Sequence, residues 1–201
     1  TNDDKGTLAN GGIQMNGADP EDHYEIAVGD GRVDIGGTNA FTLIIAFQRI
    51  GTAAIAAGDP PESDPHGILG GNSDARHIVI NTEEQIVFKT TGTGGVTSTF
   101  NFDTDTWTIG EKIVMVIRKN TSGAFKFWKN GTAVPTSSTT NPTNTGVFND
   151  TQYFGCRRVG TATSDFTFDG KIFEFILYNA DIGSGNISDL SSHLQSKLSI
   201  V

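Results

Sequence analysis

The chain has 201 residues, of which 36% are hydrophobic and only 18% charged, with 25 glycines. That balance suits short strands joined by many turns and excludes a helix bundle, which needs Glu, Lys, Ala and Leu. A formal net charge of −9 repels phosphate backbones, so nucleic acid is not an expected partner, and no apolar run reaches the ~18 residues of a membrane-spanning helix.

Alternation of apolar and polar residues begins early and recurs along the chain. Tyr24, Ile26 and Val28 alternate, and Asp30-Gly31 follows as a hairpin dipeptide, since type I′ turns need positive φ at both central positions. In residues 41–47 (FTLIIAF), Phe41, Leu43, Ile45 and Phe47 point one way and Thr42, Ile44 and Ala46 the other. Ile78 with Ile80, Ile86 with Phe88, and Phe100 with Phe102 repeat the pattern, with Gly92, Gly94 and Gly95 marking a turn between them. Residues 113–117 (IVMVI) are apolar on both faces, which predicts a central strand covered on both sides. Residues 125–134 (FKFWKNGTAV) read as strand, Asn-Gly turn, strand. Residues 172–178 alternate so that Phe173, Phe175 and Leu177 form the core face, with Ile172, Glu174, Ile176 and Tyr178 opposite. The last element is a helix with an apolar stripe of Ile187, Leu190, Leu194 and Leu198, capped by Asn186 with Asp189 at its third position. Roughly a dozen strands at this spacing predict an all-β, two-sheet antiparallel sandwich with one short C-terminal helix, a single domain over residues 1–201.

Two stretches carry candidate binding chemistry. The loop at residues 58–67 (GDPPESDPHG) gathers Asp59, Glu62, Asp64 and His66 among three prolines. Its oxygen ligands make Ca²⁺ an expectation, although the spacing of a dedicated calcium loop is missing and the same composition suits a solvated, proline-stiffened loop. Trp128 faces away from Phe125 and Phe127, so it either stacks on a sugar ring or protein partner or packs across its own sheet. No other cofactor is expected. The four histidines show no zinc spacing, and Cys156, the single cysteine, leaves no intrachain disulfide and reads as a buried small hydrophobe. Sequons occur at Asn120, Asn130, Asn149 and Asn186, a short pattern that chance supplies in an Asn- and Thr-rich chain. The first residue is Thr1 rather than Met, which reads as a processed or trimmed start.

The strand beginning at Phe41, residues 112–134 (KIVMVIRKNTSGAFKFWKNGTAV) and residues 168–179 (FDGKIFEFILYN) ahead of a short helix resemble a laminin-G-like, concanavalin-A-like jelly roll; residues 12–28 resemble its opening strands, and the match covers about residues 12–201. The resemblance implies a jelly-roll sandwich, a fold that hosts many functions. Glucanases of similar fold carry Glu-x-Asp-x-x-Glu on one strand, and no such spacing occurs here. Glu174 therefore reads as a structural residue, because acid–base chemistry on a glycoside needs a second carboxyl group. The expectation is a non-catalytic, lectin-like recognition or adhesion module that meets glycan or protein surfaces, in a multivalent assembly or homo-oligomer, on an extracellular or virion surface. A decoration or fibre subunit without glycan binding is the first alternative, and a polysaccharide-degrading enzyme the disfavoured second.

Overall fold

The computed structural model describes residues 7–9, 11–15, 24–26, 35–36, 40–50, 66–71, 77–80, 86–91, 97–102, 109–140, 147–148, 152–159 and 163–200. Two seven-stranded sheets face each other. The first runs β1 (Thr7–Ala9), β2 (Gly12–Met15), β18 (Gly170–Tyr178), β5 (Phe41–Arg49), β10 (Lys112–Lys119), β11 (Phe125–Lys129) and β12 (Thr132–Val134). The second runs β13 (Thr136–Thr140), β9 (Thr97–Phe102), β8 (Ile86–Thr91), β7 (His77–Ile80), β6 (His66–Gly70), β15 (Gln152–Phe154) and β3 (Tyr24–Ile26). Two small ribbons pair β4 (Ile35–Gly36) with β14 (Val147–Phe148) and β16 (Cys156–Val159) with β17 (Thr163–Thr167). Pairing is antiparallel throughout the described strands. One helix, α1 (Gly183–Leu198), crosses the outer face of the first sheet.

The apolar alternation builds two cores, one on each face of the first sheet. Phe41, Leu43, Ile45 and Phe47 of β5 and Ile113, Met115 and Ile117 of β10 meet Ile68, Ile78, Ile80, Phe88 and Phe100 of the second sheet. The opposite residues of the same strands, Ile44, Ala46, Val114 and Val116, lie under α1 with Ile187 and Leu194. This is why residues 113–117 are apolar on both faces: β10 is covered by a sheet on one side and a helix on the other. Asn130 at φ 49° and Gly131 at φ 76° turn the β11–β12 hairpin as that dipeptide predicts.

Two local expectations need correcting. In β18, Ile172 lies opposite Phe47 and Glu174 opposite Ala46, so Phe173 is an inserted bulge residue. The insertion reverses the faces of the first residues: Ile172 joins the inter-sheet core, while Phe173 packs on the helix side. Phe175 and Leu177 face the core as expected. The helix starts at Gly183, with Ile182 at its N-cap position, so Asn186 lies inside it and does not cap it. The expected stripe holds: Ile187 and Leu194 are buried in the helix-side core, Leu190 and Leu198 pack half-buried against it, and Ser191 is fully buried beside them. A small residue is needed there because the helix passes close to the hairpin turn. A Cβ added to Gly131 would lie 3.8 Å from that of Ser191 and 3.4 Å from Gln195 Nε2.

Candidate functional site

The acidic loop expected to bind a ligand, with Asp59, Glu62 and Asp64, and its calcium expectation, lies outside the described residues. Of that stretch, the backbone of His66 opens β6, paired with Ile80. Trp128 is 9% exposed and packs beneath α1 with Val114, Val116 and Leu194. Its indole is occupied by the protein's own second core, which is the packing one of the two readings that its sequence position left open. Among the described residues, no three His, Cys, Asp or Glu side chains are grouped to hold a metal ion.

Glu174 faces the helix and forms an ion pair with Lys197 near the C-terminus of α1. A basic residue in the last turn also suits the negative end of the helix dipole. Lys112 Nζ donates to Leu198 O at 2.7 Å, satisfying one of the carbonyls that a helix end leaves open. At the other end, Arg118 of β10 grips Asp181 through both carboxylate oxygens, Nε to Oδ1 at 2.6 Å and Nη2 to Oδ2 at 2.5 Å. Asp181 Oδ1 also accepts from Gly183 N at 2.8 Å, at the first residue of the helix. The hydrogen bonds from Arg118 hold the Asp181 carboxyl below its ordinary value, with Gly183 adding to the effect and burial opposing it. Thr42 Oγ1 completes the latch, donating to Ala180 O at 3.0 Å. Both ends of α1 are therefore fastened to the first sheet by polar contacts, with the apolar contact between them.

A groove of about 450 Å³ lies where β18 ends and α1 begins. Tyr178, Ile182, Asn186, Asp189, Leu190 and His193 line it. Tyr178 is the last residue of β18 and, at 36%, one of the large hydrophobic side chains left exposed. Asn186, Asp189 and His193 are spaced three and four apart along one face of α1. Asn186 Nδ2 donates to Ile182 O at 2.7 Å, which orients the carboxamide and leaves it a second donor and an acceptor. An aromatic ring, two aliphatic side chains and three polar groups thus line one concavity, the mixture from which small-ligand sites are made.

No protein-family profile and no curated protein sequence matches the chain. Solved structures do. The binding domain of Paraclostridial Mosquitocidal Protein 1 superposes with a TM-score of 0.66 at 10% identity, covering 91% of this chain and 43% of that one. The receptor-binding domain of botulinum neurotoxin D gives 0.65 at 10% identity, covering 94% and 45%. The chain resembles solved binding domains in fold. A Trypanosoma rangeli sialidase matches at 0.50 and 15% identity, covering 80% of this chain and 23% of that one. At such identities the likeness is one of fold, and this chain spans less than half the length of each of these structures.

The groove was not legible as a site in the sequence. Asn186 and Asp189 read there as helix-start residues and Tyr178 as the end of a strand. Their three-and-four spacing with His193, beside the apolar stripe, was the available signal. What it could not supply was the angle at which α1 leaves β18.

Proposed function

We propose that this chain is a non-catalytic recognition module that binds glycan or protein surfaces, in the manner of a laminin-G-like or lectin domain. The observation that carries this reading is the sandwich it shares with structures described as binding and receptor-binding domains. The engagement of Glu174 by Lys197 fits it, since a catalytic carboxyl would need a second carboxyl across a substrate. The module works on an extracellular or virion surface and in several copies, because shallow sites bind weakly singly and tethering raises their effective concentration. A glycan array and cell-surface binding, run beside a reducing-sugar release assay, test it. Saturable binding without sugar release is the expected result. Release of sugar from any polysaccharide, or silence on both arrays and cells, rejects it.

A further inference from the structure

We infer that the groove between Tyr178 and the exposed face of α1 is a site for an uncharged pyranose, such as the terminal hexose of a glycan. This deepens the recognition-module reading and rests on it. The groove's volume, about 450 Å³, is in the range of small-ligand sites and suits one or two sugar rings. From Asn186 to His193 is seven residues, or about 10 Å along the helix axis, a comparable span.

The chemistry of the lining separates a sugar from other occupants. A pyranose presents a C–H face on one side and a rim of hydroxyls around it. Tyr178 offers a ring for that face, with Ile182 and Leu190 continuing the apolar surface. Asp189 offers a carboxylate that accepts from two neighbouring hydroxyls, and Asn186 and His193 add donors and acceptors beside it. A purely apolar peptide would cover the Asp189 carboxylate without giving it a hydrogen bond, which is costly. An anionic sugar would meet that carboxylate in a chain already carrying a net charge of −9. A metal ion would find one carboxylate in the lining, fewer hard ligands than calcium takes.

The test is residue-resolved NMR of the full chain, made in a host that does not N-glycosylate, because Asn186-Ile187-Ser188 is a sequon within the groove. The probes are the methyl glycosides of glucose, galactose, mannose and N-acetylglucosamine. The expected result is saturable shifts for at least one probe at Tyr178, Asn186, Asp189 and His193. Tyr178→Ala and Asp189→Asn should each weaken that binding about ten-fold, with spectra unchanged away from the groove. Both side chains are exposed, so neither change threatens the fold. No saturable shift in the groove, or groove shifts that saturate at the same probe concentration in Tyr178→Ala as in wild type, overturns the assignment. Array or cell binding that persists undiminished in Tyr178→Ala also overturns it while leaving the recognition module standing. Groove shifts in a protein silent on arrays and cells would do the reverse.

Discussion

Gly170 shows how closely single residues are constrained. A Cβ there would come within 2.6 Å of the Phe168 ring and would also strike the carbonyl of Gln48. Phe168 is fully buried, edge-on to Phe47 with ring centroids 5.8 Å apart, so it has nowhere to retreat. Gly170→Ala should therefore destabilise the protein by ~1–3 kcal/mol, measured by urea unfolding. A change near zero would mean that the β18 entrance can shift. Glu174 is the opposite case. Its pair with Lys197 lies at the surface, the lysine side chain 54% exposed. Glu174→Gln should cost less than ~1 kcal/mol and leave glycan or protein binding intact. Lys119 is a buried cation, 1% exposed, with Nζ 5.9 Å from the centroid of the Phe125 ring, and burial pulls its ammonium pKa down.

At the scale of the element, α1 is held by a central apolar contact and a latch at each end. Leu194 is buried against the first sheet, and Leu194→Ala should destabilise by ~2–5 kcal/mol in the same unfolding measurement. A change below about half a kcal/mol would mean that the helix does not dock as described. The Arg118–Asp181 latch has a pH signature. Because the folded carboxyl titrates below the unfolded value of 3.8, its stabilising effect is present above pH 3.8 and is lost as pH falls through the lower folded value. Asp181→Asn removes this dependence. The stability gap between wild type and variant should be widest near neutral pH and close progressively below pH 3.8. A gap that stays constant down to pH 2 would detach the latch from Asp181 ionisation.

At the scale of the whole molecule, the layering decides what is available for recognition. The first sheet is covered on one face by the second sheet and on the other by α1. The aromatic residue that stood out in the sequence, Trp128, is consumed by that covering, while Tyr178, at the edge where the helix departs, is left exposed. On the recognition-module reading proposed above, binding falls to edges and grooves, which bury little area and bind weakly. Displayed on a tetravalent scaffold, the domain should bind a glycan-coated surface ~10²–10⁴-fold more tightly than the monomer, read by surface plasmon resonance. Equal apparent affinity in the two formats would argue for a deep, self-sufficient site.

The sequence by itself determined the sandwich, because period-two alternation reports which face of a strand is buried and Asn130-Gly131 reports a turn that few other dipeptides can make. It also determined that β10 lies centrally and that the last element is a helix, since both are repeated local patterns. The tertiary structure alone decided three things. The bulge at Phe173 lays its ring over Gly12 of β2, where an added Cβ would be 2.7 Å from it, and that neighbour is about 160 residues away in sequence. The helix start at Gly183 is set by Arg118 and Thr42 reaching Asp181 and Ala180 from other strands, contacts that outweigh the local preference for Asn186 as a cap. The groove lies where β18 ends and α1 begins. The exit angle of a helix from a strand is fixed by long-range packing, and no periodicity within the chain records it.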